Sequence, residues 1–266
     1  MTNHDVLSAE GVAALLRHRE LRIEYLESVG STNTLLKARA EQGETAGLAL
    51  IASEQTAGRG RMGRSFYSPE GCGLYMSVLY RPNVPTAEAV RITACAAVAA
   101  ALTIEELSGK ATQIKWVNDV LVDGRKVCGI LTEASLDSAL GTLRHLIVGV
   151  GVNTAVPRGD YPEELRGIAG AAFAGENIPR LRCRLAAGIL DRLTDYMADP
   201  ENAACYAAYC ARSVVLGRPV TLLSPGRKSV EAEVLAIERD YALRVKLADG
   251  SVTRVGSGEV SLRVRS

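Results

Sequence analysis

The ten residues from Gln55 to Arg64 hold the densest group of side chains that could do chemistry. They read QTAGRGRMGR and contain three glycines and three arginines. Glycine lets a backbone approach a ligand closely, and arginine offers a fixed fork of donors that fits phosphate or carboxylate. The spacing GxxxxGK[ST] of a Walker A loop is absent, and the glycines do not stand between a strand and a helix as in a dinucleotide fingerprint. The loop therefore predicts an anion site, either in a small-molecule cleft or in a nucleic-acid-binding arm.

Three other polar groups stand at predicted strand ends or in glycine-framed turns. They are Ser31-Thr32-Asn33, Lys115 to Asp119 followed by Arg125-Lys126, and Gly149 to Asn153. Each also has a simpler interpretation, because STN is a common helix cap, KWVND can be a solvated turn and DGRK can be a charged hairpin tip. Cations in such turns suit an activated phosphate, since they offset the charge that develops on a transferring group.

Charge and histidine content narrow the possible functions. The chain has 266 residues, 47% of them hydrophobic, and a formal net charge of only +1. No broad cationic face is expected, which argues against the nucleic-acid arm. His4, His18 and His145 lie near no partner for a triad or a metal site, so each is interpreted as a surface or strand-edge residue. Catalysis is expected to depend on Arg, Lys, Asp and Asn.

Cysteines and apolar segments bear on the location of the protein. The six cysteines form no CxxC pair and are interpreted as reduced, mostly buried thiols, with no disulfide or zinc site. The N-terminus is polar and acidic, unlike a signal or transit peptide, and the apolar run from Ile92 to Ile104 is too short to span a bilayer. We therefore expect a soluble, cytoplasmic protein that does not bind membranes.

Hydrophobic periodicity predicts the elements that must position these groups. Helices are predicted after Ser8, from Ser31 or Thr32 to Gly43, from Thr86 to Leu107, and with interruptions from Pro162 to about Arg212. Strands are predicted at 21–29, 47–53, 73–82 and 143–154, and Asp123-Gly124 marks a hairpin between them. Beyond Gly217 the pattern changes to short alternating strands, which is typical of a small barrel. We expect two domains, 1–213 and 214–266.

The motifs, taken in order, resemble those of the biotin protein ligase family. The similar segments are GSTN, SEQTAGRGRMGRSFYSP, KWVNDVLVDGRKVCGILTE, VGVGVN, GRPV and GEVSLR. The resemblance implies an α+β fold, with a mixed or antiparallel sheet and flanking helices as in class II aminoacyl-tRNA synthetases, and a C-terminal SH3-like β-barrel. It implies a ligase that uses ATP and Mg²⁺ to make biotinyl-5′-AMP. The biotin would then pass to a lysine on the biotin carboxyl carrier domain of a carboxylase.

The same resemblance implies roles for individual residues. Biotin would be bound by Ser31, Thr32, Asn33, Gln55, Gly58, Arg59, Phe66, Lys126, Gly129, Leu131 and Gly151. The nucleotide would be bound by Arg59, Arg61, Arg64, Asn118, Lys126 and Asn153. The catalytic residues would be Arg59, Arg61, Lys115, Asp119 and Lys126, and no residue is assigned as a direct metal ligand. The family commonly has Pro at the position of Val117 and often Trp at that of Phe66.

Three alternatives remain open from the sequence. A lipoate or octanoate ligase has a similar core, although its arginine-glycine motif differs from GRGRMGR. A nucleic-acid-binding protein would use the arginine loop in a groove, and a catalytically inactive binder would only sense biotin or its adenylate. Fewer than 30 residues precede GSTN, too few for a winged helix-turn-helix, so no DNA binding is expected.

Overall fold

The structure is a computed structural model that describes residues 5–82, 84–85, 88–137, 141–199, 202–223, 228–256 and 261–264. His4, the predicted helix start at Thr86, and residues 258–260 of the GEVSLR motif lie outside this part of the chain. The α-helices are α1 (Ala9–Ala13), α2 (Thr32–Glu41), α3 (Glu88–Ser108), α4 (Leu181–Ala198) and α5 (Ala203–Arg212). The strands are β1 (Arg22–Val29), β2 (Leu48–Gln55), β3 (Gly73–Tyr80), β4 (Gln113–Lys115), β5 (Asp119–Val122), β6 (Arg125–Asp137), β7 (Thr142–Asn153), β8 (Pro219–Leu223), β9 (Val230–Ile237), β10 (Leu243–Leu247), β11 (Val252–Val255) and β12 (Ser261–Val264).

The first seven strands form one mixed sheet in the order β1-β2-β3-β7-β6-β5-β4. The pairing of β1 with β2 is parallel, and the other pairings in this sheet are antiparallel. Because side chains alternate along a strand, each face of the sheet receives every second residue. Leu48 and Leu50 pack with Leu36 of α2 on one face, whereas Ala49 and Ile51 join the larger core that contains α3 and α4.

Helix α2 begins as its sequence predicts and brings its N-terminus to the sheet. Ser31 is the cap residue, and its side chain accepts a hydrogen bond from the backbone N–H of Thr34. The chain leaves the helix through Gly43, whose φ of +98° favours glycine. Helix α1 is also capped as predicted, by Ser8, but it ends at Ala13 and is shorter than the apolar periodicity indicates.

The predicted hairpin at Asp123-Gly124 is confirmed. Both turn residues have positive φ, as a tight two-residue turn between β5 and β6 requires.

The helical prediction from Pro162 to Arg212 is wrong for 166–180, which contain three glycines and Pro179. There the backbone of Ile168 and Gly170 exchanges hydrogen bonds with Lys126 at the start of β6. This irregular segment therefore pairs with β6 at Lys126, which is a predicted site residue.

The last five strands form a separate antiparallel sheet in the order β11-β10-β9-β8-β12. The indole N–H of Trp116, from the turn between β4 and β5, donates to the backbone oxygen of Tyr241 at 2.8 Å. Tyr241 also packs edge-on against Tyr209 of α5. The predicted α+β class, with a mixed sheet and a small C-terminal β-structure, is confirmed. The domain boundary at 213/214 stays a prediction.

No helix within the described ranges is both long and apolar enough to cross a membrane.

Candidate active site

Backbone hydrogen bonds join the start of the arginine loop to the chain segment between β1 and α2. Thr56 and Ala57 donate to the carbonyls of Val29 and Gly30, just before α2. Within the loop, Gly60 N–H donates to Arg64 and Phe66 N–H donates to Gly58. The loop therefore folds back over the face of the sheet on which α2 lies and forms one wall of a cleft.

Neutral polar groups meet at one end of this cleft. Gln55 Oε1 accepts from the backbone N–H of Thr32 at 2.9 Å and from its hydroxyl at 3.1 Å, while Gln55 Nε2 donates to Ser68 Oγ at 3.0 Å. A side-chain amide nitrogen carries two protons, so one N–H of Gln55 is left to donate to a ligand. The hydroxyl of Ser31 is a second donor beside it. We call Ser31, Thr32, Asn33, Gln55 and Ser77 the head end of the cleft.

Within the head end, Asn33 is held by contacts to β3 and β6. Its Nδ2 donates to Glu133 Oε2 at 2.9 Å and lies 3.2 Å from the backbone oxygen of Leu131. Its Oδ1 lies 2.6 Å from the buried hydroxyl of Ser77. A Cβ at Gly149 would stand only 2.1 Å from that same Oδ1. The side chain of Asn33 therefore lies directly against the backbone of Gly149.

The middle of the cleft floor is formed by glycines on two paired strands. Gly129 of β6 is opposite Gly151 of β7. A Cβ on Gly151 would lie 2.5 Å from the ring of Phe66, and a Cβ on Gly129 would lie 3.1 Å from both Phe66 and Lys126. The aromatic ring from the arginine loop therefore lies on the glycine floor in this structure.

Charged groups form the other end of the cleft. Lys126 Nζ lies 2.7 Å from Asp119 Oδ1 and 5.8 Å from the centre of the Phe66 ring. Arg61 donates from Nη1 to Asn118 Oδ1 at 2.9 Å, and Asn118 Nδ2 donates to Asp119 at 3.0 Å. We call Arg61, Asn118, Asp119 and Lys126 the charged end. Burial lowers the pKa of the Arg61 guanidinium, although the carboxylate of Asp119 acts in the opposite direction.

The cleft encloses about 460 Å³, including its open mouth. Twelve of the predicted residues line it: Ser31, Thr32, Asn33, Gln55, Arg59, Arg61, Phe66, Asn118, Lys126, Gly129, Leu131 and Gly151. Five do not line it. Gly58 is buried under the loop, Arg64 is exposed, Lys115 lies at the end of β4, Asp119 is reached through Lys126, and Asn153 donates to the backbone oxygen of Gly170.

Several residues at the cleft carry no sequence prediction. Glu133 binds Arg59, with Nη1 at 3.0 Å from Oε1 and 3.2 Å from Oε2. The sequence did contain a signal for Glu133, because it follows Gly129 and Leu131 at alternate positions of one strand and so lies on the same face. Tyr209 had no such signal, because it lies far along the chain on α5. Its hydroxyl is fully buried and has no hydrogen-bond partner among the residues that the structure describes, and burial raises its pKa.

The interpretation of His145 as a surface or strand-edge residue is wrong. It is 2% exposed on β7, which is an interior strand, and burial lowers its pKa. His145 is absent from the cleft lining. Cys72 and Cys128, which are close to the motifs in sequence, are buried, and burial raises the pKa of both thiols. They are therefore poor nucleophiles at neutral pH.

Residues 25–153 match the profile of the biotin/lipoate A/B protein ligase family, and 215–263 match the biotin protein ligase C-terminal domain. The bifunctional ligase/repressor BirA of Escherichia coli K12 is 30% identical over 244 residues, which cover 91% of this chain and 74% of that protein. The chain belongs to the biotin/lipoate protein ligase family. The resemblance seen in the motifs is thus confirmed.

Other members of the biotin/lipoate ligase family agree in fold. BirA of Bacillus subtilis 168 is 40% identical over 158 residues, 59% of this chain, and the match spans about half (48%) of that protein. The structure of biotin protein ligase from Aquifex aeolicus in complex with biotin and ATP has a TM-score of 0.73 at 28% identity, covering 91% of this chain and 99% of that one. Family membership does not favour the nucleic-acid alternative, and the C-terminal match favours a biotin over a lipoate ligase.

Proposed function

We propose that the protein is an ATP-dependent biotin protein ligase. It activates biotin as biotinyl-5′-AMP and transfers biotin to the ε-amine of a lysine on a carboxyl carrier domain. The observation that carries this proposal is the arrangement of one cleft, with neutral hydrogen-bonding groups at the head end and cations at the charged end. Biotin has the same order of groups, with a neutral ureido ring at one end and a carboxylate at the other. The cytoplasmic location predicted from the sequence is consistent with six free cysteine thiols.

Recognition of the biotin ring is assigned to the head end. The free N–H of Gln55 and the hydroxyl of Ser31 can donate to a ureido oxygen, while Thr32 is fixed by Gln55 and Ser77. A site built to hydrogen-bond a polar ring rejects an acyl chain that lacks it, because its buried donors would then lose their partners. Lipoate and octanoate have no ureido group, so this end of the cleft supports biotin as the substrate.

Adenylation is assigned to the charged end. The biotin carboxylate and ATP are both anionic, so cations must bring them together before an oxygen of the carboxylate can attack the α-phosphorus. The bond from that phosphorus to the bridging oxygen breaks, and pyrophosphate leaves. Lys126 and Arg61 are the cations that face the cleft there, and Lys115, Asn118 and Asn153 are proposed to contact the nucleotide. ATP would enter as its magnesium complex, in which the ion would offset the charge of the phosphates.

Transfer follows when the amine of the carrier lysine attacks the acyl carbon of the adenylate. The acyl–phosphate bond breaks, AMP leaves, and the lysine nitrogen gives up a proton. In this structure Asp119 is paired with Lys126. Once Lys126 turns to a phosphate, Asp119 is released and can accept that proton or orient the amine.

Exchange of labelled pyrophosphate into ATP tests this proposal without knowledge of the carrier. We expect exchange that depends on biotin and on magnesium, with lipoate and octanoate inactive. Exchange that responds only to the fatty acids would assign the cleft to a lipoate-type ligase. Absence of exchange with every acid would contradict an adenylating enzyme.

A further inference from the structure

Glu133 connects the arginine loop to the floor of the head end, and no role has been assigned to it above. It accepts from Arg59 of the loop through both carboxylate oxygens, and from Asn33 at the start of α2. Its side chain is only 19% exposed, whereas that of Arg59 is 47% exposed. A carboxylate with three such contacts holds its donors in one geometry more firmly than a free surface pair does.

These contacts continue through the head end without interruption. From Glu133 they pass to Asn33, then to the hydroxyl of Ser77 at 2.6 Å from Asn33 Oδ1, and on to Thr32 Oγ1 at 2.7 Å. Thr32 in turn donates to Gln55, whose amide group is one of the free donors of the cleft. Movement of Glu133 therefore disturbs both the loop and the groups that face a ligand ring.

The position of Glu133 separates Arg59 from Lys126. Gly129, Leu131 and Glu133 follow one another on one face of β6, so the last is about 13 Å from the first at ~3.3 Å per residue. Lys126 Nζ lies directly above Gly129, at 3.1 Å from where its Cβ would be. Arg59 and Lys126 thus serve opposite ends of the cleft in this structure, although the motif resemblance assigns both to the carboxylate and phosphate.

We propose that Glu133 is a positioning residue that anchors Arg59 and so closes the arginine loop over the head group of the substrate. Arg59 then acts by holding the loop, and the substrate carboxylate is bound by Lys126 at the other end. This inference rests on the proposed function, because it takes biotin as the ligand of the cleft. The Glu133–Arg59 pair then contributes to specificity for the ring of the substrate and does not depend on the charge of the substrate carboxylate.

The test compares binding of biotin and of its neutral amide by calorimetry to wild type, Arg59→Gln, Glu133→Gln and the double variant. We expect each single variant to lose about fivefold in affinity, equally for the acid and the amide, as one partly exposed ion pair would cause. The double variant should be no weaker than either single one, because both substitutions break the same contact. Lys126→Gln should instead lose affinity for the acid and spare the amide.

A second measurement follows the loop itself. Trypsin should cleave the 59–64 segment faster in Glu133→Gln than in wild type, while Glu70→Gln, which changes an exposed glutamate, should match wild type. If Arg59→Gln weakens the acid but not the amide, or if Glu133→Gln changes neither binding nor cleavage, the anchoring role is overturned. If wild type binds neither biotin nor the amide, the proposed function fails, and the trypsin comparison still decides whether Glu133 holds the loop.

Discussion

The two ends of the cleft are built in different ways. At the head end, Thr32, Asn33, Gln55 and Ser77 bond to one another and to fixed backbone groups. At the charged end, Lys126 pairs with Asp119 and Arg61 binds Asn118. A network of neutral groups can keep its bonds when a ligand adds one more, but a cation paired with a carboxylate must change partners to bind a phosphate. Under the proposed function the head end is therefore preformed, whereas the charged end would rearrange in each turnover.

Replacing Lys126 by Ala should give the largest effect, because it removes the cation that exchanges partners. We expect biotin-dependent pyrophosphate exchange to fall by about 100-fold or more. The melting temperature should stay within about 2 °C of wild type, since the pair with Asp119 is partly exposed. Lys246→Ala, which removes an exposed lysine from β10, is the matched control. Wild-type turnover in Lys126→Ala would remove this lysine from the mechanism.

Replacing Gly149 by Ala should damage the head end, because the new Cβ would overlap Asn33 Oδ1 and force it to move. Overpacking of this kind costs about 1–3 kcal/mol, so the melting temperature should drop by several degrees. Biotin affinity measured by calorimetry should fall by roughly tenfold. Gly256→Ala is the control, since no described residue other than its chain neighbours has an atom within 4 Å of its Cβ position. Unchanged affinity would mean that the head end is less rigid than its bonds indicate.

Replacing Arg61 by Gly should shorten the lifetime of the adenylate without preventing its formation. The variant loses the contact with Asn118 that holds the loop at the charged end. We expect release of biotinyl-AMP to be about tenfold faster, with diffuse labelling of bystander proteins. Met62→Gly adds a glycine at the next position while keeping the guanidinium, so it separates loop flexibility from charge. Labelling confined to the carrier at the normal rate would contradict this role.

Replacing Tyr209 by Phe should have the smallest effect, and it should raise the stability of the protein instead of lowering it. The buried hydroxyl, on which the charges of Arg61 and Asp119 act, meets no hydrogen-bond partner within the described part of the chain. Removing it should raise the free energy of unfolding by about 1 kcal/mol and leave exchange activity within about twofold. Tyr206→Phe on the same helix should destabilise, because that hydroxyl donates to the backbone of Ile237. A lower melting temperature for Tyr209→Phe would show that the hydroxyl is bonded.

The sequence alone predicts those structural features that depend on local signals. Ser31 as a cap, the turn at Asp123-Gly124 and the alternating strands follow from spacing alone, and the motif resemblance named most of the residues that line the cleft. It missed partners that are distant along the chain, such as Glu133 for Arg59, since a strand pattern gives the face of a residue but not its neighbour. His145 was misjudged because polarity does not reveal that its strand lies inside the sheet.

The contact between Trp116 and Tyr241 gives the protein a built-in optical probe. Trp116 is the single tryptophan of the chain, and it is 4% exposed, with its indole N–H on a carbonyl of the C-terminal sheet. Its neighbours in sequence are Lys115 and Val117, and Asn118 of the charged end follows directly after. A red shift in the emission of this one indole would therefore report the loss of its contact with the small sheet.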